Sequence, residues 1–424
     1  MEKSAGMTAF EEKISSGLVS AGLPPESVCP EHPLGLAVSG GADSISLLLA
    51  LLSLFDAALI RVITVNHNIR EENETAGDAR FVMDLCSRLN VSCTLVTIPR
   101  GKVFLEAEKD GQGIEAAARA LRYQAFSDFI SQENLSALCL AHNQNDLLET
   151  ILMRFLQGSG SEGGGGILRR RNHFVRPMLD VSREEIEAYL HECGQDWRTD
   201  STNADTAYLR NNIRHNLIPF LDGHFKGWKK AVLYGAEKAR DDNDALQALS
   251  DRTVWGRDEK GLFMDAASFY GQEKALRRRL LYQACNLLPC QGRLPYSLVR
   301  RVCAWKGDEQ EKKGLSLSAG GVEISLNSEK IYVKKCQNKA TESGFLDIIK
   351  EDSNSVLLRR SLQSGDVIRA KDGSMKPVQK IFTDWKVSAE DKNRIPLIQD
   401  LSREGQPVIA ILGSEFGYSD WIVK

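Results

Sequence analysis

The chain has no run of about 20 apolar residues, the length a helix needs to cross a bilayer, so no membrane partner is expected. Met1 to Phe10 mixes both charge signs and has no apolar core, which removes a secretory signal. A surplus of one charge sign is also lacking. Against 54 Lys and Arg stand 57 Asp and Glu, a formal net charge of -3, so no globally basic nucleic-acid coat exists. A local basic face is compatible with that sum, because opposite faces never meet the same ligand. Nine cysteines are scattered and none forms C-x-x-C. That excludes the common structural zinc patterns and the paired thiols of redox or sulfur-transfer chemistry. A reducing cytoplasm fits best.

What is present is an ordinary globular composition, 42% hydrophobic and 26% charged, which excludes global disorder. At 424 residues the chain exceeds the ~250–300 at which one core stops growing, so two or three domains are expected. The first part alternates strand and helix. Apolar, β-branched runs at Leu34–Val38, Leu59–Val65, Val91–Ile98 and Ser136–Ala141 are separated by helical stretches at Ser44–Leu54, Glu71–Leu89 and Ile114–Ile130. Asn145–Leu156 is a further helix. Strands buried on both faces between helices mean an α/β fold with a doubly wound parallel sheet. Residues 1–218 form this domain, 219–340 a mainly helical middle domain with a hairpin over Leu315–Lys335, and 344–424 a small α+β domain. A polar linker, Gln337–Ser343, precedes the last.

In a doubly wound sheet, ligands bind beyond the carboxyl ends of the strands. There the first strand runs into Ser39-Gly40-Gly41-Ala42-Asp43-Ser44 and then a helix. Glycines let a ligand approach the backbone, and the helix start presents unpaired N–H groups and a positive dipole end. A bland strand-to-helix turn would also accommodate two glycines, but the six residues together, in this context, favour phosphate binding. Neither the Walker loop nor the dinucleotide fingerprint is present.

The loop resembles the S-G-G-x-D-S motif of the PP-loop ATP pyrophosphatases, which transfer AMP from ATP to an oxygen and release pyrophosphate. The motifs that follow are Val65–Arg70, Gly113–Tyr123, Ala141–Thr150, Gln157–Gly160, Arg176–Leu179, Asp196–Asn203 and Tyr208–Arg214. With them the chain resembles the tRNA(Ile)-lysidine synthases. Gly365–Arg369, Lys380–Lys386 and Arg394–Leu397 resemble that family's small C-terminal domain. The resemblance implies an ATP-dependent, two-step ligation on the wobble cytidine of the isoleucine tRNA with a CAU anticodon. The C2 oxygen attacks the α-phosphate, pyrophosphate leaves, and the ε-amine of free L-lysine then displaces AMP. It implies ATP as substrate and Mg2+ as cofactor. Oligomeric state is left open, a homodimer included.

By the same resemblance, Asp43, Asp146, Glu149 and Arg119 are expected to be catalytic, and Asp43 and Asp146 to hold the metal. Ser39, Gly40, Gly41, Ala42, Asp43, Ser44 and His142 are expected to bind ATP. Arg122, Arg176, Arg210, Arg214, Lys380 and Arg394 are expected on tRNA, with Arg169–Arg171, Arg198 and Arg277–Arg279 as further candidates. Two residues depart from the family's His-His-x-Asp-Asp: here the order is His142-Asn143-Gln144-Asn145-Asp146. Neutral amides add no charge for an ammonium, so Asn145→Asp is expected to lower the KM for lysine. The competing readings are a PP-loop tRNA modifier using another amine and a tRNA-binding paralogue without catalysis.

Overall fold

A computed structural model describes residues 6–68, 72–110, 113–198, 209–288, 294–305, 315–319, 321–336, 346–351, 356–363, 365–370, 373–388, 391–400 and 407–423. Parts of the motifs above (69–70 and 199–208), the linker 337–343 and Gly320 lie outside the described residues. The chain forms two units: residues 1–153 with 167–224 and 342–424, and residues 154–166 with 225–341.

The first unit opens with α1 (Ala9–Ser20), started by a capping box between Thr8 and Glu11. Then come β1 (Leu34–Ala37), α2 (Ala42–Leu54), β2 (Ile60–Asn66), α3 (Glu72–Arg88) and β3 (Ser92–Thr97). They are followed by α4 (Lys102–Asp110), α5 (Ile114–Gln132), β4 (Ala137–Cys139) and α6 (Gln144–Leu156). After α7 (Ser161–Gly164), which belongs to the second unit, come β5 (Arg170–Arg171), β6 (Phe174–Val175), α8 (Arg183–Glu192), α9 (Leu209–Asn212) and α10 (Ile218–His224). The sheet order is β3-β2-β1-β4-β6-β5, parallel except for the β5–β6 pair.

Alternation along the strands builds the two cores. On β2, Val62 faces a cluster with Ile45, Leu48, Ile14 and Leu190, while Ile63 faces Phe126, Phe129 and Ile130 of α5. On β4, Cys139 joins the first cluster and Leu138 the second. Successive side chains on a strand point to opposite faces, so both faces are covered, as expected of a doubly wound sheet. Gly35 is required for this packing: a Cβ there would stand 2.5 Å from Leu135 and 2.7 Å from Leu138.

The C-terminal part of this unit has strands Leu346–Glu351, Val356–Arg360, Val367–Arg369, Met375–Pro377, Leu397–Asp400, Val408–Leu412 and Asp420–Ile422 in one seven-stranded sheet. Its helix, Val378–Asp384, buries Val378, Ile381 and Phe382 in a separate core.

The second unit adds strands to the expected helices and hairpin. Alongside helices at Trp228–Ser250, Ala266–Tyr270, Lys274–Leu287 and Tyr296–Ala304 it carries five antiparallel strands. They are Gly256–Asp258, Gly261–Asp265, Leu315–Ala319, Val322–Leu326 and Lys330–Lys335. The expected hairpin is thus three strands, and a short pair upstream completes the sheet. The physical reason is length: segments of three and five residues are too short for periodicity to distinguish them from loop. No helix among the described residues is long and apolar enough to cross a membrane.

Candidate functional site

The phosphate loop leaves β1 at Ala37 and enters α2 at Ala42. Gly40 has φ +88°, a conformation that side chains rarely adopt. The N-cap of α2 is Gly41, which contributes no side-chain cap, so the N–H groups of the first turn keep no side-chain acceptor. The loop is braced from within. Ser44 Oγ donates to the Gly41 carbonyl at 3.0 Å and accepts from the Ser39 N–H at 3.2 Å, with Ser39 Oγ 3.4 Å away. From outside, the Arg198 N–H donates to the Gly40 carbonyl at 2.9 Å. Arg198 itself pairs with Asp78 at 3.1 Å.

Asp43 lies in the first turn of α2. Its Oδ1 accepts two bonds, from Asn143 Nδ2 at 3.1 Å and Arg183 Nη1 at 2.8 Å. Burial raises its pKa above the ordinary carboxylate value; Arg183 opposes this and the nearby Asp146 charge adds to it. Asn143 is buried, 4% exposed. Its Oδ1 accepts from the Asp146 N–H at 3.0 Å, and its own N–H donates to Asp146 Oδ2 at 3.1 Å. That reciprocal pair starts α6 as a capping box does.

Around α6 a carboxylate pair is clamped by two arginines. Glu149, whose side chain is 1% exposed, meets Arg210 Nε at 2.8 Å and Arg214 Nε at 2.6 Å. Asp146, 18% exposed, meets Arg210 Nη2 at 2.6 Å. Arg210 and Arg214 are four apart, one on α9 and the other on the π-helical turn Ile213–Leu217 that follows it. The structure therefore gives both an intramolecular partner where the sequence suggested tRNA phosphates. The reason is the buried Glu149 charge, which needs compensation inside the fold.

A second group has the opposite character. Burial, then the positive charges of Arg176, Arg119, Arg210 and Arg122, push the His142 pKa down to about 3. Burial and Arg122 push His67 down to about 4. Burial, then Arg119, lowers the Arg122 pKa. Arg119 donates to the Tyr123 hydroxyl at 3.0 Å and lies over its ring. Buried nitrogens of His67 (Nδ1), His142 (Nδ1), Arg122 (Nε) and Arg176 (Nε) have no hydrogen-bond partner among the described residues. Two buried arginine nitrogens without acceptors, beside two neutral histidines, are what a phosphate group would complete. Arg176, 5% exposed, donates to the Leu168 carbonyl at 3.0 Å and is too enclosed to track an RNA backbone.

Two of the basic series are spent internally. Arg169 Nη2 donates to both carboxylate oxygens of Asp180, and Arg170 binds the carbonyls of Gly22 and Asn172. In the second unit, Arg277 binds the carbonyls of Tyr270, Gln272 and Cys303, and Arg279 binds Ser161. In the C-terminal part, Lys380 is exposed and Arg394 lies over Phe416, 3.9 Å from Asp391. Sequence reasoning missed Arg183. A signal existed: it follows Ser182 of the Ser182–Glu185 capping box, in the first turn of α8. A cation there opposes the helix dipole and so has work elsewhere.

The depressed histidines set a pH dependence. Unfolded histidine titrates near ~6.5, above both folded values, so between those limits the unfolded chain binds more protons. Stability is fully present above that pH and falls on acidification toward the folded values. Urea unfolding between pH 7 and 5, above most carboxylate titrations, is expected to show this slope, and His142→Asn to flatten it. An unchanged slope in the variant would exclude His142 as its source.

The metal expectation fits in part. Among the described residues no group of three or more His, Cys, Asp or Glu could hold a metal ion. Both donors to Asp43 fall on Oδ1, which leaves Oδ2 as a ligand. Mg2+ is commonly held by one or two carboxylates together with substrate phosphates, so the site fits Mg2+ arriving with a nucleotide.

Residues 10–221 match the PP-loop domain family. The chain is 36% identical to a tRNA(Ile)-lysidine synthase of Treponema denticola, over 92% of this chain and 91% of that protein. To the enzyme of that name from Treponema pallidum it is 30% identical, over 92% of this chain and 93% of the other. To that of Deinococcus radiodurans it is 33% identical, over 86% of this chain and 57% of the relative.

Proposed function

The chain belongs to the tRNA(Ile)-lysidine synthase family, and from that premise we propose how its residues divide the reaction. It is an ATP-using ligase of the PP-loop type that forms lysidine in tRNA, taking ATP to AMP and pyrophosphate. One observation carries the division. At His142–Asn143, the phosphate loop, the unpaired arginine–histidine group and the clamped carboxylates meet at one edge of the sheet.

The loop N–H groups, Ser39 and Ser44 hold the pyrophosphate end of ATP. Arg119 and Arg122 face the charge that grows on the α-phosphate as the wobble cytidine's C2 oxygen attacks it and the bond to pyrophosphate breaks. Preorganised donors in a dry site suit that task. Neutral His142 accepts no proton at pH 7 and serves as a hydrogen-bonding partner. When bound at Asp43, Mg2+ supplies charge neutralisation for the departing pyrophosphate. In the second step the ε-amine of lysine attacks C2, the C2–O bond to AMP breaks, and the amine proton is lost. An ammonium with a solution pKa of ~10.4 needs a nearby carboxylate. Asp146 takes that part, a reading supported by its being the more exposed of the clamped pair, while Glu149 holds Arg210 and Arg214.

The substrate is the CAU-anticodon isoleucine tRNA in the cytoplasm, contacted by the C-terminal part through Lys380 and Arg394. Incubation with ATP, lysine and this tRNA, followed by mass analysis of the wobble nucleoside, tests the reading. Lysidine is the expected product, and unmodified cytidine or another adduct would refute it. A Lys380→Ala, Arg394→Ala variant should show weaker tRNA binding and a shallower salt dependence, as loss of phosphate contacts requires. Identical binding across the salt series would remove these residues from the interface.

A further inference from the structure

The two amides that depart from the family pattern both lie in the hydrogen-bond network around Asp43. Asn143 donates to Asp43 Oδ1 while its own carbonyl caps α6 on the Asp146 N–H. Asn145 Oδ1 accepts the Arg183 backbone N–H at 3.2 Å. Arg183 in turn donates to the same Asp43 oxygen, and its Nε is held by Glu187 at 2.7 Å. Asp43 is thus tied to α6 through Asn143 and to α8 through Arg183, and Asn145 joins those two helices. Both amides are engaged by groups of the protein itself.

We propose that Asn143 and Arg183 are positioning residues for Asp43, with Asn145 seating Arg183, and that the amides do not select the amine. The proposal rests on the lysidine-forming reading and deepens its first step. Two donors on one oxygen fix the carboxylate plane, so Oδ2 presents to the nucleotide in a single orientation. Freed from either donor, the carboxylate can rotate away from the phosphates. A misplacement of about 1 Å can cost ~100-fold in rate. On this assignment Asn145→Asp keeps its contact, because an aspartate there accepts the same Arg183 N–H at the start of α8.

Asn143→Ser keeps an N-cap oxygen but is too short to reach Asp43, and Arg183→Gln removes the charged donor. Each should slow pyrophosphate release about tenfold, and the pair about 100-fold, with the lysine KM within about twofold of wild type. ATP affinity, measured by calorimetry without tRNA, should change far less than the rate. Arg183→Lys, which keeps one donor, should recover part of the loss, whereas Asn145→Asp should leave lysine KM and amine preference unchanged. A shift in lysine KM or amine preference with normal pyrophosphate release would overturn the assignment. So would wild-type rates in Asn143→Ser and Arg183→Gln. Wild-type enzyme that releases no pyrophosphate with ATP and tRNA would instead refute the underlying reading.

Discussion

Asp43→Asn is expected to lower adenylation of tRNA by about 10³-fold, the upper range for losing one preorganised electrostatic group. The change keeps the side chain's shape, and the amide oxygen can still accept from Asn143 and Arg183. What disappears is the negative charge beside the phosphates, which only a carboxylate provides to magnesium. Stability should not fall. The Asp43 pKa is raised on folding, by burial first and by Asp146, so the charged form is disfavoured in the folded state. A neutral isostere removes that cost and the repulsion with Asp146. Arg183 loses its partner but keeps Glu187 and is 37% exposed, so its charge remains solvated. Urea unfolding at pH 7 should therefore give a stability within about 1 kcal/mol of wild type. Radiolabelled pyrophosphate release near the wild-type rate would show that Asp43 has no electrostatic part in the first step.

The second large effect belongs to the arginine clamp. Glu149 is 1% exposed, and its carboxylate accepts from Arg210 and Arg214. Removing both partners strands a charge in the interior, which costs about 3–5 kcal/mol. The Arg210→Ala, Arg214→Ala variant should lose that much in urea unfolding. Arg214→Ala alone should lose less, because Arg210 Nε still reaches Glu149. Adding Glu149→Gln to the double variant should restore part of the loss, since a buried amide costs less than a buried carboxylate. A double variant within about 1 kcal/mol of wild type would mean that water, not the arginines, compensates Glu149. The clamp also separates stability from catalysis. Asp146→Asn should impair the lysine-dependent step more than it lowers stability, because Asp146 is the more exposed carboxylate.

The first sheet was legible because its strands are apolar, β-branched runs between long amphipathic stretches. The expected strand at Leu59–Val65 is β2 at Ile60–Asn66, and the expected helix at Ile114–Ile130 is α5 at Ile114–Gln132. Helices α1, α4 and α8 went unread; α4 and α8 are short, and the signal in α8 lay in its Ser182–Glu185 cap. The strands of the second unit were partly missed because segments of three and five residues carry too little period to recognise.

By itself the sequence determined the class of protein and the loop chemistry. Six adjacent residues, Ser39 to Ser44, carry their conformation locally through glycine freedom and a helix start, so no distant contact is needed to recognise them. It also determined that Asp146 and Glu149 share one helix face, since spacing of three does that. Tertiary structure alone decided what those groups face. Asp43 and Arg183 are separated by 140 residues, and Glu149 and Arg214 by 65. Arginines spaced along a chain look alike whether they meet phosphate or a buried carboxylate. The distinction lies in burial and partners, and those arise only when helices after Asp180 fold back against α2 and α6. Arg210 and Arg214, expected on tRNA from the sequence, lie against Glu149, and Asn143 joins Asp43 to the start of α6.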